Sequence, residues 1–296
     1  MPNPEIAAIR AMLAQRPVLG GTLEETRAGI DGMGAAMPTP DDVKLTPENG
    51  AGAPAEWSQA PGAADDRAIL YVHGGGYVIG SIKSHRHVGA LLGREAGSKT
   101  LMLDYRLAPE HPFPAAVDDS LAAYRFLLAK GYAPGKIAVA GDSAGGGLTV
   151  ATLLAIRDAG LPQPAGGYCI SPWVDLEGLG GSMTSKAEED PMVQKPGLLD
   201  MAAHYLGGKP AKTPLAAPLH ADLKGIAPLL IQVGSAETLL DDSIRLAGKA
   251  GAAGVEVRLE VWPEMIHVWQ MFHPMLADGR RSLAVAGAWL KDRMGG

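Results

Sequence analysis

An α/β fold with a mainly parallel central sheet and helices on both faces is what this sequence predicts, on three observations. From Ala68 onward, short apolar runs recur: AILYVHGGG, KTLMLDYR, KIAVAGDS, GGYCIS, PLLIQVGS and VRLEVWP. Uninterrupted runs of this length suit strands buried on both faces of a sheet rather than strands with one wet face. Between them lie patterns of helical period, and a chain of 296 residues with 47% hydrophobic and 20% charged residues is long and apolar enough to bury a large core. Strand followed by helix, repeated, describes βαβ units.

Taken in order, residues 4 to 35 place apolar side chains at helical spacing (Ile6, Ile9, Leu13, then Leu23, Ile30, Met33) and predict two short helices broken by Pro17 and Gly20-Gly21. Val43 to Leu45 and the stretch around Trp57 predict edge strands, with a Gly/Pro/Ala-rich turn at 50 to 55 between them. Helices are expected over Pro114–Lys130, Gly146–Ala159, Asp241–Ala253 and Arg280–Arg293. The interval 172 to 215 is far longer than a crossover helix requires. It reads as an insertion carrying a helix near Pro196 to Tyr205, a small helical cap over the C-terminal edge of the sheet, where α/β folds place their sites. The expected organisation is an N-terminal cap segment over 1–45, a catalytic domain over 46–171 and 216–296, and a cap insertion over 172–215.

The formal charge of −6 and pI near 5.8 give no electrostatic reason to expect nucleic acid or an anionic membrane as partner. Cys169 is the only cysteine, so an intramolecular disulfide and a cysteine-based zinc site are both excluded. Charges at Glu5, Arg10 and Arg16 interrupt the N-terminal segment, unlike a secretory signal, and no run approaches the ~18 apolar residues of a membrane span. A cytoplasmic location is expected.

The strongest chemical signal is Gly141-Asp142-Ser143-Ala144-Gly145, a G-x-S-x-G directly after the run KIAVA and directly before a helical pattern. A strand-to-helix turn this sharp brings neighbouring chain so close that small residues must flank the serine. Alone, the same text would also fit a turn with Ser143 as helix cap. A second signal counts against that: His73-Gly74-Gly75-Gly76 follows the run AILYV, and consecutive glycines let main-chain N–H groups face a ligand unobstructed. Neither glycine stretch completes a nucleotide-binding pattern. Oxyanion donors are expected from Gly74, Gly75 and Ala144, with the choice between Gly74 and Gly76 open.

HGGGYVIGS at 73 to 81, DYRLAPEHPFPAAVDD at 104 to 119 and GDSAGGG at 141 to 147 together resemble the bacterial hormone-sensitive-lipase-type esterases, family IV of the α/β-hydrolase superfamily. The resemblance implies an α/β-hydrolase fold and hydrolysis of short- to medium-chain acyl esters through a Ser-acid-His triad, without metal or organic cofactor. His267 is the expected base. It follows the run VRLEVWP at the C-terminal end of the sheet, in a context similar to the family's, whereas His85, His87, His111, His204, His220 and His273 fall elsewhere. Where the family carries an Asp in a D-P-L-x-D-[DE] motif, this chain reads Glu237-Thr238-Leu239-Leu240-Asp241-Asp242, so register places Glu237 as the acid, with Asp241 next. The order Ser143, Glu237, His267 matches the fold.

Further expectations are an Arg106–Glu110 pair bracing the HGGG loop and a solvated lid turn at Glu189-Asp190-Pro191-Met192. Tyr77, Trp173 and Met192 are weak candidates for the acyl pocket. The stripe Leu283, Val285, Ala286, Trp289, Leu290 serves mainly to pack on the sheet and leaves room for a homodimer. Rival functions are a non-catalytic small-molecule receptor on the same fold, which would lose a triad member, and an amide or carbamate hydrolase or deacetylase using the same residues.

Overall fold

A computed structural model describes residues 3–15 and 21–296. Eight strands, β1 (Lys44–Glu48), β2 (Ala55–Gln59), β3 (Ala64–Val72), β4 (Ser98–Leu103), β5 (Ile137–Asp142), β6 (Gly166–Ile170), β7 (Leu229–Gly234) and β8 (Val257–Trp262), form one sheet in the order β1-β2-β4-β3-β5-β6-β7-β8. β1 and β2 are antiparallel and β2 meets β4 antiparallel, while all pairings from β4 to β8 are parallel. The α/β-hydrolase architecture expected from the sequence is present. The outermost β1 carries Pro47 and is largely exposed, which blunts an edge that would otherwise template further pairing.

Each apolar run serves two faces because successive strand residues point to opposite sides. Leu70 and Val72 of β3 pack with α4 (Ala115–Ala129) and α5 (Ala144–Asp158) through Leu127 and Leu148. Ile69 and Tyr71 pack on the other face with α3 (Ile82–Ala96) and α9 (Ala277–Arg293) through Leu92, Leu283, Ala286 and Leu290. Each such side chain, fully buried, contributes about 1.5–3 kcal/mol. The α9 stripe is thereby spent on the sheet, with Val285 and Trp289 left partly covered at its margin. α8 (Leu240–Ala252) closes the first face beside β7 and has Asp241 and Asp242 in its first turn, where the helix dipole favours them.

Helix α3 has no counterpart in the sequence reading. Its cap is Ser81 with Ser84 three residues on, a weaker written signal than Ser followed by Glu, and its charged and histidine residues mask the apolar stripe. α1 (Pro4–Ala14) packs Ile6, Ile9 and Leu13 on Trp262, Met265 and Trp269 around the loop after β8, and α2 (Leu23–Ala35) lies on α3. Of the break expected between α1 and α2, Pro17 and Gly20 lie outside the described residues. The segment after β6 carries α6 (Ser182–Ser185) and α7 (Lys195–Leu206), the second matching the helix expected at 196 to 205. Among the described residues, no helix is long and apolar enough to cross a membrane.

Candidate active site

At the end of β5 the chain turns into α5 with Ser143 at φ 55°, ψ −119°, a conformation L-residues avoid. Its N–H donates to Ile170 O at 2.8 Å, and its carbonyl accepts from Trp173 N at 2.9 Å. A Cβ at Gly145 would stand closer than 3.0 Å to the Val72 and His73 carbonyl oxygens, so the turn tolerates only glycine there. That contact also sets the serine turn directly against the HGGG loop.

In that loop Gly74 N–H donates to Asp142 Oδ1 at 3.1 Å. Gly74 therefore does not supply the free donor expected of it: its N–H is spent on the carboxylate preceding the serine. The N–H groups of Gly75 and Gly76 have no acceptor among the described residues, and Ala144, first in α5, has none within its own helix. Gly75 and Gly76 adopt φ +111° and +61°, open to glycine, and Met201 of α7 lies where a side chain at Gly76 would go. The loop is braced by Tyr105 Oη, which donates to His73 O at 2.7 Å. The expected Arg106–Glu110 pair does not form. Arg106 is bidentate to Asp119, which also accepts from the Arg106 N–H, and Glu110 pairs with Arg27 of α2, whose Nε donates to Val78 O.

Glu237 follows β7 and is fully buried; His267 follows β8 and is 3% exposed. Glu237 Oε2 lies 3.6 Å from His267 Nδ1, and neither that nitrogen nor Glu237 Oε1 has a hydrogen-bond partner among the described residues. Ser171, just past β6 at φ 44°, ties the two loops together. Its hydroxyl donates to Glu237 Oε2 at 2.9 Å and accepts from Val268 N at 3.2 Å. Burial works against a charged His267, but the nearby Glu237 carboxylate, with the charges of Asp190 and Asp142, outweighs it and holds the imidazole above its ordinary pKa. Ser171 is the member that sequence reading missed. It ends the run GGYCIS with no signal to separate it from a turn serine.

The competing acids are engaged elsewhere. Asp241 accepts from Ser182 N at 3.0 Å, and Asp242 accepts from Val174 N and Asp175 N and pairs with Arg245. Asp190 is not the solvated lid residue expected. It is 3% exposed, accepting from Met192 N, Val193 N, Thr238 N and Thr238 Oγ1, and so ties the insertion to the residue after Glu237. Met192 is exposed rather than pocket-lining, whereas Tyr77 is buried, stacked on Tyr205 at 3.7 Å and 6.1 Å from the Trp173 ring. Among the described residues, one group has the side chains for a cation: Asp175, Glu177 and His220, whose ligand atoms lie within 4.8 Å of one another. Arg245 and Lys212 already face those carboxylates.

Residues 69–271 match the family model for the alpha/beta hydrolase fold. An acetyl-hydrolase of Streptomyces hygroscopicus is 52% identical over 241 residues, 81% of this chain and 80% of the relative. A crystal structure of an esterase from the bacterial hormone-sensitive lipase (HSL) family superposes with a TM-score of 0.96 at 50% identity, covering 100% of both chains. That of EstE5 soaked with p-nitrophenyl butyrate superposes at 0.95 with 47% identity, covering 99% of this chain and 100% of that one. With these likenesses in sequence and fold, the chain belongs to the α/β-hydrolase family as a serine carboxylesterase of the bacterial hormone-sensitive-lipase type.

Proposed function

We propose that the protein hydrolyses short- to medium-chain acyl esters through Ser143, His267 and Glu237. The observation that carries this reading is the buried Glu237–His267 contact of 3.6 Å, tied through Ser171 to the segment from Ile170 to Trp173 that holds the strained Ser143 turn. A serine hydroxyl is a weak nucleophile and needs a base. His267 takes the Ser143 proton as Oγ attacks the ester carbonyl, and Glu237 stabilises the imidazolium and holds its tautomer. The oxyanion is received by the N–H groups of Gly75, Gly76 and Ala144, each worth about 3–4 kcal/mol if comparable to donors removed elsewhere. Collapse expels the alcohol, which takes the proton from His267. Water, deprotonated by the same imidazole, then attacks the acyl-enzyme, and the carboxylic acid leaves as Ser143 regains its proton.

The short end of the acyl range is supported by Met201 packed over Gly76 and by the large buried rings of Tyr77, Trp173 and Tyr205 on that side. Relatives point the same way, one an acetyl-hydrolase and another soaked with a butyrate ester. The test is a series of p-nitrophenyl esters from acetate to palmitate, with organophosphonate labelling mapped by peptide mass. Turnover should peak at or below medium chains, with the label on Ser143. A peak at long chains overturns the acyl range, and a label elsewhere overturns the nucleophile.

A further inference from the structure

The residue before the nucleophile is a buried carboxylate to which the reaction assigns no step. Asp142 is 2% exposed; its Oδ1 accepts from Tyr71 Oη at 2.7 Å and from Gly74 N at 3.1 Å, and its Oδ2 lies 3.3 Å from His85 Nε2. A carboxylate so far from water needs donors and a compensating charge.

The neighbours of His85 favour its charged form. Ser84 Oγ gives its hydrogen to Ser81 O at 2.9 Å, leaving a lone pair toward His85 Nδ1 at 2.8 Å, and Nδ1 also faces Ser81 O at 3.4 Å. Nδ1 thus faces two oxygens able to accept a hydrogen from it. Nε2 faces a carboxylate oxygen and carries a hydrogen toward it, an arrangement that favours positive charge on the ring. Burial opposes this charge, and the charge and hydrogen bonding of Asp142 outweigh burial, with Ser81 O and the more distant Asp31 adding to them. His73, 5.4 Å from His85 between ring centres, is held neutral, its pKa lowered to about 3 by burial and then by the charge of His85. A neutral His73 donates from Nδ1 to Gly74 O at 2.7 Å. Both peptide planes flanking Gly74 are thus pinned, one by Asp142 and one by His73. The second of these planes carries the Gly75 N–H.

We propose that His85 is a positioning residue for the oxyanion donors: clamped on Asp142, it fixes the Gly74 peptide and so aims the N–H groups of Gly75 and Gly76. This rests on the esterase reading above. Without His85 the Asp142 carboxylate loses the one basic side chain paired with it among the described residues and either takes a proton or turns away, and the Gly74 N–H loses its anchor.

The test compares His85→Leu, which removes the donor, with His85→Gln, whose amide N–H reaches toward Asp142. Phosphonate titration of Ser143 counts working sites, so failure of the esterase reading would show in the wild type as no label on Ser143. Per titrated site, H85L should lose about 10- to 100-fold in kcat, up to the loss of one oxyanion donor, with KM changed less than about twofold. Affinity for a trifluoromethyl ketone, which forms a tetrahedral oxyanion on the serine, should fall by the same factor. H85Q should recover most of both. A structural role alone would lower Tm and the titrated fraction but leave kcat and ketone affinity per site intact, and that result overturns the proposal, as does H85Q losing as much as H85L. Should H85L not fold, nitrogen NMR of the wild-type His85 ring decides: a hydrogen on Nε2 at pH 7 supports the proposal, and an unprotonated Nε2 overturns it.

Discussion

Replacing Glu237 with Gln tests the acid through the geometry of Ser171. The Ser171 hydroxyl accepts from Val268 N–H, so its own hydrogen is free to donate and goes to Glu237 Oε2. In E237Q that hydrogen requires an acceptor, which places the amide oxygen toward Ser171. Glu237 Oε2 is also the atom 3.6 Å from His267 Nδ1, so the amide oxygen in its place still faces that nitrogen, and the amide N–H groups take the position of Oε1. The imidazole keeps its tautomer but loses the negative charge that stabilises its cation. Replacing a triad carboxylate by its amide costs about 10⁴-fold in the serine-protease template, where the tautomer is lost as well, so a smaller loss of about 10²- to 10³-fold in kcat is expected here, ~2.7–4 kcal/mol in barrier. E237D withdraws the carboxylate by roughly one bond, ~1.5 Å, from a contact already 3.6 Å long, and should fall between wild type and E237Q. The assay is kcat on p-nitrophenyl butyrate per phosphonate-titrated site, with D241N as control, since Asp241 is spent on Ser182. If E237Q keeps more than about a tenth of wild-type kcat, or D241N falls as far, Glu237 is not the acid.

The raised His267 pKa sets the acid limb of kcat/KM: activity needs the neutral ring, so turnover should fall as pH drops through a value above the ordinary 6.5, measured with a neutral substrate over pH 5–9. Asp190 contributes to that elevation, so D190N should move the limb to lower pH. Its amide also faces Thr238 N–H, at a stability cost of about 1–3 kcal/mol seen in urea melts, and a limb that stays in place would deny the electrostatic role. S171A and S171G should lose similar activity, because both remove the hydroxyl between Glu237 and Val268. S171G should be the more stable by about 1 kcal/mol, since φ 44° suits glycine, and equal stabilities would show that the turn stores no strain.

What the sequence made legible is what short-range chemistry dictates. The G-x-S-x-G turn could be read because Gly145 lies against the Val72 and His73 carbonyls, a steric demand written in residue type. The parallel sheet could be read because strands buried on both faces must be apolar throughout, as β5 and β7 are. What escaped depends on pairing between distant segments. Nothing in the text says that Arg106 chooses Asp119 over Glu110, since both carboxylates lie within reach in sequence and only the start of α4 selects between them. Gly74 and Gly76 are likewise identical as letters, and it is the Asp142 carboxylate, 68 residues away from Gly74, that takes one N–H and leaves the other. Asp190 looked like a surface residue because a loop acid usually is one; its burial comes from Thr238, 48 residues on.

Backbone strain separates site from scaffold more sharply than burial does. Five non-glycine residues among those described have positive φ: Tyr77, Ser143, Ser171, Glu264 and Val268. Ser143 is the nucleophile proposed, Ser171 and Val268 share the hydroxyl that holds Glu237, Tyr77 follows the oxyanion glycines, and Glu264 lies in the His267 loop. At about 1–3 kcal/mol each, this strain is comparable to the whole net stability of an ordinary domain, about 5–15 kcal/mol. It persists because all five positions are held by anchors from other segments: Ser143 by Ile170 O and Trp173 N, Ser171 by Gln232 O, Val268 by Ser171 Oγ, Tyr77 O by Ala108 N, and Glu264 N by Ser235 Oγ. Four of these ties meet in the few residues from Ile170 to Trp173, at the C-terminal end of β6. That short segment positions the nucleophile on one side and the acid on the other, so a backbone shift there would disturb both together.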